Sequence, residues 1–415
     1  MSSLSYRQVL RLTHVSELLL GAFLSRLAAR MFGLAVILYA LDRFGSPVLA
    51  GWVAFASLAP GLFVSPVTGA LLDRLRAASA ILIDMFLSSA LLFILCAIDG
   101  TGLIGGPVLL TLVTAYSLTS PLSAAAIRVL IPHLVPDEAL EMANALDTGS
   151  YALVEVLGPA LAGGLFAFAG SNTTMLTIAT LYVGSSLSLV PLLRRPAGRT
   201  SCSPAPLLSE ATAGLTYMAR HLSLRGLAAS YSSYQLTWGA LYVTVPVFVA
   251  HELGAGASTD LAVGLLWAGS GLAGGVGALL TGRIRTVGRE REIIGVGVLM
   301  TALAIYPLST HFGLFGLSIG LTIAGFLAGP IDVGALTLRQ RRTEPVWLGR
   351  VLAVSMSLNL SGIPVGSAIG GWLVSQSLTL ALIFAALASM TSAAMVFLLI
   401  PSASQPLSRD AAEEP

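Results

Sequence analysis

Apolar residues run along this chain in blocks of about twenty, the length a helix needs to cross the hydrocarbon core of a bilayer. Twelve such blocks are readable. They cover 17–41, 48–72, 77–98, 103–127, 142–169 and 175–193 in the first half. The second half gives 224–250, 260–282, 293–308, 313–338, 348–375 and 378–400. The ninth is the weakest, since Pro307 and its short length cut it. The longest polar segment between blocks, 194–223, is rich in proline, serine and arginine and holds a short helix-forming stretch at 207–220. It separates residues 1–193 from residues 224–401, six predicted helices each, and a polar tail follows at 402–415. The pattern predicts an all-α membrane protein with twelve transmembrane helices in two six-helix bundles.

Composition supports the same class. Charged residues make up 10% of the 415, against roughly 25% in soluble chains, and 55% are hydrophobic. That is also the wrong balance for disorder. The net charge of +2, with no dense basic block, argues against nucleic acid as a partner. All 22 basic residues are arginine, which stays charged at any accessible pH; a GC-rich genome alone would explain that bias. Carboxylates are then the expected carriers if protons move. Without lysine the phosphate-binding pattern GxxxxGK[ST] is impossible, so ATP is not expected to drive this protein directly. No HExxH or GxSxG occurs and the five histidines form no cluster of metal ligands. An intramembrane enzyme and a channel, which would need a ring of pore-lining charge, are the weaker alternatives. No cofactor, no metal and no Cys96–Cys202 disulfide are expected, and Met1–Ser16 carries no cleavable-signal pattern.

Arginine placement sets the expected orientation. With a cytoplasmic N-terminus, nineteen arginines fall in cytoplasmic segments or helix ends, among them Arg74, Arg76, Arg128, Arg194, Arg195, Arg339, Arg341, Arg342 and Arg350. Only Arg43 lies on the other side, and Arg26 and Arg30 lie within the first span. Both termini, the linker at 194–223 and the tail at 402–415 are therefore expected in the cytoplasm of a multi-pass plasma-membrane protein, a bacterial inner membrane being the expected setting.

The halves repeat. GALLDRLR at Gly69–Arg76 returns as GALLTGRIR at Gly277–Arg285, and GPALAGG at Gly158–Gly164 as GSAIGG at Gly366–Gly371, both 208 residues on. SPL at Ser120–Leu122 matches GPI at Gly329–Ile331 with an offset of 209. Six helices per repeat bring the second half in with the orientation of the first, which implies a pseudo-two-fold axis along the membrane normal.

These segments resemble the major facilitator superfamily. GALLDRLR is similar to its loop motif between helices two and three, with Gly69, Asp73 and Arg74 in register and Arg76, Ala77 and Ala78 departing from it. Gly149, Gly158, Pro159 and Gly163 resemble the fifth-helix motif of the exporter branch, with Val154 and Ala162 replacing glycines. ANAL at Ala143–Leu146 and EPVWLGRV at Glu344–Val351 look like the drug-efflux and siderophore-export subgroups. The resemblance implies that helices one and five line a central cavity. It also implies that Asp73 and Arg74, with Arg128 and the start of helix eleven at Arg350, form a cytoplasmic gate. A pair of interfacial charges with no gating role is the alternative.

Charges inside the membrane are costly enough, at least ~2.5–3.5 kcal/mol each, that they should face partners rather than lipid. Arg26 and Arg30 share one face of helix one. Arg30 and Glu155 lie at similar depth, roughly 20 Å in from the cytoplasmic ends at 1.5 Å per residue. Arg30 is expected to meet Glu155, and Arg26 to lie nearer Asp147. A pair that couples transport to protonation and one that only holds helices together are both compatible with this pattern. Asp332 on helix ten is a second coupling candidate, its counterpart in the first half being Ser123, while Asp84 on helix three reads as structural.

Tyr231, Tyr234, Gln235, Trp238 and Tyr242 recur along one face of helix seven. They are expected to wall a substrate cavity, packing being the alternative, and Tyr39, Tyr116, Tyr151 and Asn359 are weaker candidates. Gly158, Pro159 and Gly163 on helix five, and Pro364, Gly366, Gly370 and Gly371 on helix eleven, read as close-contact and bend positions. The expected function is secondary active transport: proton-coupled efflux of an amphiphilic or hydrophobic small molecule by alternating access, from a monomer. An importer or a lipid or metabolite transporter on the same scaffold is the alternative.

Overall fold

The computed structural model describes residues 6–74, 77–120, 123, 126–127, 130–131, 134–193, 207–282, 288–344 and 347–401, and all regular structure among them is helical. This is what lipid demands, since a helix satisfies its own backbone donors and acceptors where water cannot. A single turn at Tyr6–Val9 precedes α1 (Val15–Phe44), α2 (Pro47–Arg74), α3 (Ala77–Gly100), α4 (Gly106–Thr119) and α5 (Asp137–Leu193). A linker helix, α6 (Leu207–Arg220), leads to α7 (Leu222–Leu253), α8 (Ala257–Gly282) and α9 (Glu290–Arg341). The chain closes with α10 (Leu348–Leu360), α11 (Gly362–Gln376) and α12 (Leu378–Leu399).

Two of these helices are hairpins. α5 leaves helical geometry at Gly170 (φ 79°, ψ 174°) and α9 at Gly313 (φ 55°, ψ −137°), conformations that favour glycine. The contacts show the reversal. α1 runs parallel to the first arm of α5, with Arg26 at Asp147 and Arg30 at Glu155, and antiparallel to the second, with Gly21 against Ser188 and Leu24 against Gly184. In α9, Gly297 faces Ile331 and Gly320 faces Ala304. The ninth span thus runs on past Pro307 to the turn at Gly313 instead of stopping at residue 308. Eight helical segments among the described residues are long and apolar enough to cross a membrane. Gly149–Leu192 makes two crossings, and α4, the first arm of α9 and the α10–α11 pair complete twelve. The eleventh span breaks at Ser361, three residues before Pro364. That puts the proline in the first turn of α11, where its missing N–H costs nothing.

The packing has the symmetry of the repeat. α1 lies against α5 as α7 lies against α11 and α12; α2 pairs with α4 as α8 pairs with the second arm of α9. Serine and threonine hydroxyls stitch α7 to its neighbours: Thr237 donates to the Ala385 carbonyl (2.9 Å), Ser233 to that of Ala388 (3.1 Å) and Ser232 to that of Leu358 (2.8 Å). Large apolar side chains such as Phe63, Phe168 and Leu398 point outward, as a lipid-facing rim requires. The halves meet in two seams, α2 on α11 and α5 on α8, which exchange under the pseudo-two-fold. The linker helix α6 packs on α10 and α2. Its Tyr217 stacks between His221 (4.0 Å) and Trp347 (5.0 Å), and Met218 is buried beside Val351 and Leu224.

Candidate functional site

Arg26 and Arg30 lie one turn apart on α1, yet their surroundings differ. Arg26 Nη1 sits 2.7 Å from Asp147 Oδ1 and donates to Ser150 Oγ at 2.7 Å, and its guanidinium carbon stands 3.8 Å above the Tyr151 ring. The approach to Asp147 Oδ1 lacks hydrogen-bond alignment, so charge holds that contact, while Nη1 also donates to the Asp147 backbone carbonyl at 3.3 Å. Both side chains are sealed, at 9% and 11% exposure. Arg30 donates to Glu155 across α1 and α5, and this pair is open, at 36% and 47%. Gly158 makes room for it, because a Cβ there would meet Arg30 Cγ at 2.6 Å.

Facing the open pair is the aromatic stripe of α7. At 100° per residue, Tyr231, Trp238 and Tyr242 fall within about 40° of one another and Tyr234 and Gln235 lie on either flank. The structure divides them accordingly: the central three are partly open, while Tyr234 and Gln235 are buried. Tyr242 stands 5.9 Å from the Arg30 guanidinium, so a residue of the second half touches the ion pair of the first. Its ring stacks at 4.6 Å on Trp267 of α8, which also lies 6.1 Å from Trp238.

Four other expected cavity residues are placed differently. Tyr39 is enclosed in the core of the first half near Arg43 and Asp99, which pair at 3.2 Å. Tyr116 is enclosed too, bonded to Tyr182 and packed on Phe32 at 4.2 Å. Asn359 is buried between α9 and α10, its amide oxygen accepting from Arg339 Nη2 at 2.7 Å. Tyr116 and Asn359 turn a polar group to a partner inside the helix packing, where an unpaired one would be costly. These three do not wall an open cavity. Tyr151 stays half-buried beneath Arg26.

Asp332, on the second arm of α9, is exposed and accepts a hydrogen bond from Tyr231. It feels the charge of Glu155 across the space between the halves. Asp84 is enclosed, with Ser88 donating to its Oδ1 at 3.2 Å. Of the expected gate, Arg128 lies outside the described residues, as do the side chains of Asp73, Arg74 and Arg350; Gly69, Asp73 and Arg74 are in the last turns of α2, and Arg350 is in the first turn of α10.

The close-contact positions sort into two groups. Gly163 packs on Gly264 of α8, where a Cβ would come within 2.7 Å of the Gly264 Cα, and the Pro159 carbonyl lies against Gly264 as well. Gly371 packs on Gly51 of α2 in the same way, 2.8 Å from Cβ to Cα. Both seams tighten near the starts of α2 and α8, the ends away from most arginines. Gly366 and Gly370, by contrast, serve contact inside the second half, against Leu236 and Ala240 of α7, and Pro364 is buried in the first turn of α11.

Trp267 was not legible as a site residue, although Gly264, Trp267 and Gly271 recur at spacings of three and four and so mark one face of α8. The Glu155 carbonyl lies against Gly271, 3.1 Å from the position of a Cβ. Arg339 carried no signal beyond its charge.

A family model of the Major Facilitator Superfamily matches residues 18–225 and 227–415. An MFS-type transporter of Sinorhizobium fredii (strain NBRC 101917 / NGR234), y4rN, described as uncharacterized, is 47% identical over 400 residues, 96% of this chain and 98% of its own length. Multidrug efflux pump Tap of Mycobacterium tuberculosis (strain ATCC 25618 / H37Rv) is 26% identical over 371 residues, 84% of this chain and 85% of Tap. The crystal structure of the nucleoside transporter NupG superposes with a TM-score of 0.72 over 93% of this chain and 99% of its own, at 13% identity; that likeness is one of fold.

Proposed function

Because the chain belongs to the major facilitator superfamily, we propose that this transporter exports an amphiphilic or hydrophobic small molecule in exchange for protons. The observation that carries this reading is the contrast between two neighbouring ion pairs. Arg26–Asp147 is sealed, whereas Arg30–Glu155 is open and faces the aromatic stripe of the other half. An exposed carboxylate paired with a permanent cation can exchange its proton with solvent. Protonation removes the negative charge that holds Arg30, and a charge change of this size between the halves is enough to bias a two-state rocking equilibrium.

The cycle follows from the seams. They are closed by glycine contacts at the ends away from most arginines, so the present state opens toward the arginine-rich ends, which we assign to the cytoplasm. A molecule enters there, rests against Tyr231, Trp238 and Tyr242, and leaves when the seams part. A proton taken up by Glu155 from outside returns the protein to the state seen here. Export is supported by the kinship with an efflux pump. The protein acts as a monomer in the plasma membrane, with both termini cytoplasmic.

The test is transport of a panel of fluorescent amphiphiles into inside-out proteoliposomes under an imposed pH gradient. The wild-type protein accumulates at least one probe only with the lumen acidic, and Glu155→Gln abolishes the dependence on the gradient. Unimpaired gradient-driven accumulation by Glu155→Gln would remove Glu155 from the mechanism. Probe movement in the opposite direction would make the protein an importer.

A further inference from the structure

Arg30 is the cation that links the two halves at mid-membrane, and it has two neighbours of different kinds. Glu155, from its own half, takes its charge. Tyr242, from the other half, offers its ring, whose centroid lies 5.9 Å from the guanidinium carbon. Tyr242 is itself fixed from behind by stacking on Trp267 at 4.6 Å with 27° between the ring planes. One turn beyond Trp267 on α8, Gly271 lies against the Glu155 carbonyl. The contacts close into a circuit, α5 to α1 to α7 to α8 and back to α5, that crosses between the halves twice. Arg30 Nε is buried without an acceptor, so the guanidinium keeps a donor unused in this state.

We infer that Tyr242 is a positioning residue: it competes with Glu155 for Arg30 and receives the guanidinium when Glu155 loses its charge, which ties proton binding in one half to the position of the other. The inference rests on the exchange reading above. The circuit explains why the tie is specific to this tyrosine. Tyr231, also open on the stripe, is committed to Asp332, and Tyr151 lies under Arg26. The charged and titratable groups facing Glu155 are few. On α1 they are Arg30 and Arg26, the latter held by Asp147 on α5 itself. On α9 it is Asp332, with its Tyr231 partner on α7. Asp84 on α3 is turned to Ser88, and Asp260 on α8 lies at the far end of the seam. None of these takes over the role of Tyr242. A cation over an aromatic face is attracted more strongly when it is desolvated, so the ring keeps some hold on Arg30 even without the hydroxyl.

Spin labels at Leu103→Cys and Ser258→Cys, exposed positions near the ends away from most arginines in the first and second halves, would report the rocking equilibrium in the full-length protein as a distance distribution. The background carries Cys96→Ala and Cys202→Ser. The wild-type chain is expected to shift its distribution between pH 5 and 8, both bounds being approximate. In Tyr242→Phe the released arginine has lost its second polar partner, so a higher proton concentration is needed. The midpoint then falls by about 0.5–1 pH unit with the two end states unchanged. Glu155→Gln serves as the control for the premise and is expected to be insensitive to pH. A Tyr242→Phe midpoint equal to wild type, with Glu155→Gln insensitive, overturns the role of Tyr242 alone. A full transition in Glu155→Gln, or none in the wild type, overturns the exchange reading and the inference with it.

Discussion

Asp84, Asp147 and Glu155 are three carboxylates among apolar helices, and their neighbours give each a different job. Asp84 accepts from the Ser88 hydroxyl and meets no arginine among the described residues. Removing it in Asp84→Ala strands the Ser88 hydroxyl, which costs about 1–3 kcal/mol, while Asp84→Asn keeps an oxygen for it. Thermal unfolding in detergent should therefore show a clear drop for alanine and a smaller one for asparagine. The two arginines should separate in the same experiment. Arg26→Gln leaves Asp147 charged in a sealed site, a loss of roughly 3–5 kcal/mol. Arg30→Gln leaves Glu155 where water reaches it and should cost under about 1 kcal/mol, while abolishing coupling. Equal destabilisation by the two would mean that the contrast in exposure carries no energetic weight. The pairing was within reach of the sequence because spacing and depth along two helices restrict which charges can meet. The exposure was not, since it depends on what the second half places opposite.

At the scale of elements, the seams set how far the halves can move. Gly163 and Gly264 meet backbone to backbone, as do Gly51 and Gly371. A valine at Gly163 has no room in the closed seam, so Gly163→Val should hold the protein open on that side. The distance between spin labels at Leu103→Cys and Ser258→Cys should lengthen, and an unchanged distance would mean that the seam closes elsewhere. The linker helix invites a parallel test. Tyr217, between His221 and Trp347, accepts a hydrogen bond from the Glu344 N–H at 3.3 Å. Tyr217→Ala should detach α6 and expose it to limited proteolysis at the Arg220 end, with stability falling by about 1–2 kcal/mol. A short helix at 207–220 was expected from the sequence. Its seat on α10 and α2 joins residues more than a hundred positions apart, which no local pattern specifies. The α7 stripe shows the same limit: its spacing marked one face, and the surrounding helices decided that only its central three residues stay open.

For the molecule as a whole, twelve crossings and an arginine-rich edge make a directional statement. Ala219→Cys on the exposed face of α6 should be labelled by an impermeant maleimide only in inside-out vesicles, and Leu103→Cys only in intact cells. The reverse pattern would invert the proposed direction of transport. By itself the sequence determined the class, the count of crossings, the division into repeated halves and the edge that carries the arginines. Those properties follow from hydropathy, which every residue senses against lipid or water whatever its neighbours do. Only the tertiary structure decided which face each helix turns inward: that Trp267 backs Tyr242, that Tyr39 and Tyr116 are sealed in the core, and that the seams close away from the arginines. Rotation of a helix about its own axis, and the approach of one half to the other, are set by side chains distant in sequence that must fit together at van der Waals distance.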